Sequence, residues 1–108
     1  MEERKKIAVI GAGAAGLMAA LAAAEAGAAV TIYEKMGRPG RKIGITGKGR
    51  CNVTHVGDRE RFLKNMVGNG KFLYSAWNAL DNDALREILR CAGVETKEER
   101  GGRVFPVS

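Results

Sequence analysis

The chain has 108 residues, 45% hydrophobic and 28% charged, with a formal net charge of +6 at pH 7, which fits a folded globular protein and excludes a disordered tail. That length holds one small domain. Since no apolar run approaches a bilayer span and residues 1–6 offer no hydrophobic leader, neither a membrane span nor a signal peptide is expected, and a cytoplasmic setting follows.

From the N-terminus, Lys6–Ile10 reads as a buried parallel strand, residues 14–26 as a helix, Gly27 as its left-handed stop and Ala29–Tyr33 as a second strand. Between the first strand and the helix stands Gly11-Ala12-Gly13-Ala14-Ala15-Gly16, and Glu34 closes the second strand eighteen positions after Gly16. This is the spelling of a dinucleotide-binding βαβ unit. Gly11 permits the tight turn, Gly13 leaves the backbone open to a pyrophosphate, and Gly16 lets helix and strand pack closely. The free amides that open the helix, including those of Ala14 and Ala15, bind an anion without a cationic side chain. Glu34 is placed to accept hydrogen bonds from both hydroxyls of a ribose and to repel a 2′-phosphate. The helix is so rich in alanine that close burial on two sides is the simplest expectation, with Leu17, Met18 and Leu21 as its bulkier packing groups.

Lys35, Arg38, Arg41, Lys42, Lys48 and Arg50 come next, and no acid intervenes between Glu34 and Asp58. Such a run is usually a solvated face or a nucleic-acid patch. Five interleaved glycines, Gly37 to Gly49, favour a loop whose backbone wraps an anion, a second phosphate clamp over the cofactor.

Further along, Asp58 can cap a helix carrying Phe62, Leu63 and Met66, and Leu73, Trp77 and Leu80 repeat a helical spacing. Asp81 or Asn82 can cap a third helix with Leu85, Ile88, Leu89 and Ala92 inward, ended by Gly93. Residues 94–98 and 103–107, joined across Gly101-Gly102, read as a hairpin whose second arm is an edge or a strand end because of Pro106. Cys51 and Cys91, forty positions apart, form no C-x-x-C pair. Cys91 reads as helix packing and Cys51 as a small buried side chain beside the cofactor, although a cationic, glycine-rich loop can also lower a thiol pKa. His55 has no second ligand or nucleophile in view and reads as a loop residue; no metal site or hydrolase triad is expected.

Gly11, Gly13, Gly16, Ala20, Gly27, Val30, Glu34 and Gly40 fall at the spacing of the long fingerprint of FAD-binding two-dinucleotide-domain flavoproteins, with Arg41 where that motif has its last glycine. The string Thr46-Gly47-Lys48-Gly49-Arg50-Cys51-Asn52-Val53-Thr54 is more specific, and residues 72–80 and 102–108 agree with it. The whole resembles the flavoproteins described as aminoacetone oxidases or bile-acid oxoreductase-like NAD(P)/FAD-dependent oxidoreductases. His55 stands where that family has asparagine. The resemblance implies an α/β fold, a partial Rossmann-like FAD-binding domain made of the βαβ unit, a cationic glycine-rich loop, helices and a short hairpin. It implies that residues 1–108 are the amino-terminal part of a split FAD domain, with the rest of that domain and an inserted substrate domain beyond them. It also implies that Gly11, Gly13 and Gly16 face the pyrophosphate, Glu34 the ribose and Lys35 the adenine, and that Arg41, Lys42, Gly47, Arg50, Cys51 and Asn52 line the path toward the flavin ring. FAD is the expected cofactor, NAD(P)H the candidate electron donor and a small molecule the expected substrate. The catalytic residues are expected outside this chain, which alone should be inactive.

Two other readings stay open. A plain NAD-binding Rossmann domain explains Glu34 equally well and leaves residues 40–52 unexplained. RNA as a partner follows from the charge and the pI near 9.7; against it, Phe72, Tyr74 and Trp77 follow a helical spacing rather than that of a stacking platform. A flavoenzyme acting on an RNA base combines both signals.

Overall fold

A computed structural model describes residues 3–107, which divide into two compact units between Gly49 and Arg50. In the first, β1 (Lys6–Ile10) and β2 (Ala29–Tyr33) pair in parallel, Lys6 opposite Ala29 through Ile10 opposite Tyr33. They are joined by α1 (Ala14–Glu25), as a parallel pair requires. Both strands have the expected bounds. The helix ends in a Schellman motif, with the Ala28 N–H on the Ala23 carbonyl and the Gly27 N–H on Ala24, and Gly27 has φ +94°.

The expected burial is not met. β1 is largely exposed, Ile10 at 81%, and α1 buries only Ala20. The cause is geometric: α1 packs on a sheet of only two strands, and this unit supplies no third strand for the free edge of β1.

The cationic glycine-rich segment is not purely a loop. Its first half is helical, giving α2 (Arg41–Gly49), interrupted where Thr46 is extended (ψ 158°) and Gly47 and Lys48 turn left-handed (φ 59° and 60°). The N-terminus of α2 is tied to the first glycine turn by the Gly40 N–H, which donates to the Ala12 carbonyl at 2.7 Å.

In the second unit, β3 (Thr54–His55), β4 (Thr96–Glu99) and β5 (Arg103–Pro106) form an antiparallel sheet in the order β3-β5-β4. The anticipated hairpin is β4 and β5, turning through a 3₁₀ segment at Arg100–Gly102. Because β3 pairs with its other side, β5 is the central strand, and Pro106 is accommodated as a strand end rather than an edge. Val104 and Phe105 are the buried centre.

The helices are α3 (Arg59–Lys64), α4 (Tyr74–Ala79), preceded by a 3₁₀ turn at Gly70–Leu73, and α5 (Asn82–Cys91). Asp58 caps α3 by accepting from the Arg61 N–H, and Asp81 caps α5 by accepting from the Ala84 N–H. Asn82 is then free for another task. Only 5% exposed, it donates to the carbonyls of His55 (2.7 Å) and Gly57 (2.9 Å) and so ties α5 to the end of β3. Phe62 and Trp77 stack with centroids 4.2 Å apart, holding α3 against α4. Cys91 and Ala92 are exposed rather than packed.

Candidate functional site

The three glycines of the first turn differ in what the protein itself demands of them. Gly11 has φ +96°, a conformation that disfavours any side chain. At Gly16 a Cβ would lie 1.9 Å from the Gly11 carbonyl oxygen, so α1 can close on the turn only if this residue is glycine. Gly13 has φ −80° and ψ −169°, open to any residue, and a Cβ there would meet nothing within 4 Å. Neither backbone strain nor packing requires glycine at 13. Open space there is what a ligand pressed against the backbone would fill.

The first bond of α1 runs from the Leu17 N–H to the Gly13 carbonyl at 2.9 Å, so the amides of Ala14, Ala15 and Gly16 precede the ladder. Gly13 caps the helix without a side-chain bond, and no acid stands in the first turn to neutralise its positive end. These donors and the open face of Gly13 make a backbone surface of partial positive charge suited to a pyrophosphate.

Glu34 follows β2 directly and is half-buried. One carboxylate oxygen accepts from the Ala12 N–H at 2.8 Å, the other from the Met36 N–H at 2.6 Å. These bonds, that from Ala12 foremost, hold the carboxyl below the ordinary carboxylate range. Glu34 therefore fastens the glycine turn to the end of β2, a role its spacing did not reveal. Each oxygen retains a second lone-pair direction, enough to accept a hydroxyl as well.

Lys35, Arg41 and Lys42 are exposed, and Gly47 lies in the left-handed half of α2. All belong to the first unit with Gly11, Gly13, Ala14, Ala15, Gly16 and Glu34; Arg50, Cys51 and Asn52 belong to the second. There Arg50 is engaged: its guanidinium forms a two-pronged ion pair with Glu99 and lies 4.4 Å from the centre of the Phe105 ring. The pair, with Lys97 3.3 Å from the same carboxylate, lowers the Glu99 pKa to about 2. Asn52 directs its amide nitrogen to the carbonyls of Thr54 (3.1 Å) and Val104 (3.3 Å). Cys51 is half-buried with φ +65°, left-handed like Lys48 (φ 60°). His55 is no loop residue: it pairs with Arg103 in the sheet, and its ring nitrogens lie 2.6 Å from the carbonyl oxygens of Val56 and Gly101. A two-residue strand has no sequence signature of its own, so none of this was legible.

The HI0933-like protein Rossmann domain family matches residues 5–108. The chain belongs to this family. It is a family of FAD-binding flavoproteins, with the α/β fold read from the glycine turn. Three curated relatives are similar to it. The 3-dehydro-bile acid delta(4,6)-reductase of Clostridium scindens is 34% identical over 95% of this chain and 25% of its own length. The ribosomal RNA dihydrouridine synthase of Escherichia coli is 44% identical over 95% of this chain and 25% of its own. That of Haemophilus influenzae is 41% identical over 90% and 24%. The chain thus spans about a quarter of the length of the relatives it matches. Among the described residues no helix is long and apolar enough to cross a membrane, and no cluster of side chains has the makings of a metal site.

Proposed function

We propose that this chain forms the adenosine and pyrophosphate part of the FAD site of a flavin-dependent oxidoreductase, as the amino-terminal section of a split FAD-binding domain. The observation that carries this reading is the open face of Gly13, where glycine is not needed by the protein, beside the unbonded amides of α1. Gly13, Ala14, Ala15 and Gly16 would hold the pyrophosphate. Glu34 would accept from the adenosine ribose while its bond to Ala12 keeps the turn in place, and Lys35 would flank the adenine. Arg41 and Lys42, entering α2 one and two residues after the Gly40–Ala12 bond, would add positive charge on the phosphate side. Gly47 completes the phosphate segment of this unit, and Arg50, Cys51 and Asn52 act toward the flavin. When bound, the flavin supplies hydride and electron transfer. The residues of this chain bind and orient it, and the proton-transfer groups lie outside these 108 residues.

The complete protein should be purified yellow, releasing FAD on acid or heat. A colourless protein that takes up no added FAD but responds to NAD would instead support a plain NAD-binding domain. NAD(P)H is the proposed electron donor, tested by bleaching of the flavin band on its anaerobic addition.

For the substrate, a second reading is supported by two relatives named as ribosomal RNA dihydrouridine synthases, together with the +6 charge of this chain. On that reading the oxidoreductase acts on a base of RNA. The reductase named for a bile acid favours a small molecule instead. Turnover of the bound flavin with RNA or with a steroid-like acid as oxidant separates the two.

A further inference from the structure

We infer that the outward surface of residues 59–80, built on Arg59, Lys71, Phe72 and Tyr74, grips an unpaired stretch of RNA. This rests on the RNA reading given above. In sequence, Phe72, Tyr74 and Trp77 follow a helical spacing rather than that of a stacking platform. The structure divides them. Phe62 and Trp77 stack on each other between α3 and α4, whereas Phe72 is 81% exposed and Tyr74 is also exposed.

Tyr74 is already half of a stack. The Arg59 guanidinium lies 4.4 Å from its ring centre, steadied by a 3.0 Å bond from Arg59 Nη1 to Asn78 Oδ1. Arg59 has no carboxylate partner among the described residues, and neither does Lys71. Residues 58–81 contain four cations, Arg59, Arg61, Lys64 and Lys71, against three carboxylates, of which Asp58 and Asp81 cap α3 and α5 and Glu60 lies 3.9 Å from Lys64. Exposed rings beside unneutralised cations suit one occupant. Unstacked bases offer faces to aromatic and guanidinium planes, and their phosphates offer the negative charge. A duplex hides those faces, and an acidic protein would answer the cations but not the need for planar partners.

The test uses the complete protein and a fluorescein-labelled, uridine-rich single-stranded RNA of about a dozen nucleotides, with Kd read by anisotropy over a salt series. Phe72→Ala should weaken binding about tenfold while Phe72→Tyr retains it. Arg59→Ala and Lys71→Ala should each lower the salt slope by about one. Arg90→Ala, which removes the partner of Glu87 on α5, should leave both unchanged, and circular dichroism checks that every variant is folded. If wild type binds this RNA and the Phe72, Arg59 and Lys71 variants bind it equally well, this surface is wrong although the RNA reading stands. Equal affinity for a duplex of the same sequence would remove the stacking role. No binding by wild type at low salt would overturn both the surface and the reading beneath it.

Discussion

The unit ending at Gly49 and the unit beginning at Arg50 build their polar chemistry from different materials. In the first, the groups arranged for a ligand are mostly backbone: the amides that open α1, the bare Cα of Gly13 and the Gly40–Ala12 bond, with Glu34 as the one side chain that organises them. In the second, order comes from side chains: Asn82 bridging two carbonyls, Phe62 stacked on Trp77, and Arg50 held between Glu99 and Phe105. Backbone chemistry shows in sequence as the spacing of small residues. Side-chain pairs between distant segments leave no such trace.

Breaking the first unit should have the largest effect. Gly16→Ala places a methyl group 1.9 Å from the Gly11 carbonyl oxygen, where only backbone movement can relieve the clash. Urea unfolding should show a loss of about 3 kcal/mol or more, or no folded protein. An unchanged midpoint would mean that the turn and α1 are not as close as described.

Glu34 comes next, because it combines a structural bond with the proposed ribose contact. Glu34→Ala should weaken FAD binding more than Glu34→Gln, which keeps one acceptor but loses the charged hydrogen bonds, about twice as strong as neutral ones. Amide exchange at Ala12 should rise in Glu34→Ala even without FAD, since its acceptor is gone. The pH dependence has a definite sign. Folding lowers the Glu34 pKa, so its contribution is complete above the unfolded carboxylate value and is lost as pH falls through the lower folded one. Equal FAD content in wild type and both variants would remove the ribose role.

A smaller effect is expected in the second unit. The Glu99 pKa is lowered to about 2, first by Arg50 and then by Lys97, so this contribution holds at neutral pH and fades as pH falls from the ordinary carboxylate range toward about 2. Glu99→Gln should flatten that part of the Tm-versus-pH curve. A mutant curve parallel to wild type would mean that the pair contributes nothing.

The smallest effect is a gain. Lys48 has φ 60°, which costs an ordinary residue about 1 kcal/mol and glycine almost nothing. Lys48→Gly should therefore raise stability by up to about 1 kcal/mol in urea.

How much was legible follows the same division. The bounds of β1 and β2 are as read, because a short apolar run, a glycine turn and a Schellman glycine each have a local cause. The caps Asp58 and Asp81 were legible for that reason too. Burial was not, since it depends on what lies against a surface: β1 and α1 read as buried from their apolar residues, and this unit supplies no third strand for the free edge of β1. β3 was invisible because a two-residue strand is defined only by its partner, Arg103–Pro106, nearly fifty positions away. The helical start of α2 was masked by its glycines, and the Arg50–Glu99 pair joins residues that no local pattern connects. The glycine turn that opens α1 has a local spelling; the bond from the Ala12 amide to Glu34 joins residues 22 positions apart and has none.

Whether Gly13 is open for a ligand and not for the fold is decided by Gly13→Val in the complete protein, with FAD affinity and unfolding measured on the same sample. The backbone at φ −80° and ψ −169° accepts valine, and its Cβ meets nothing within 4 Å. Stability should therefore fall by only about 1 kcal/mol, the cost of an apolar residue at the N-cap of α1, while FAD binding falls about a hundredfold, the size of a clash near 3 kcal/mol. A folded variant that binds FAD as tightly as wild type would mean that the cofactor does not press against Gly13.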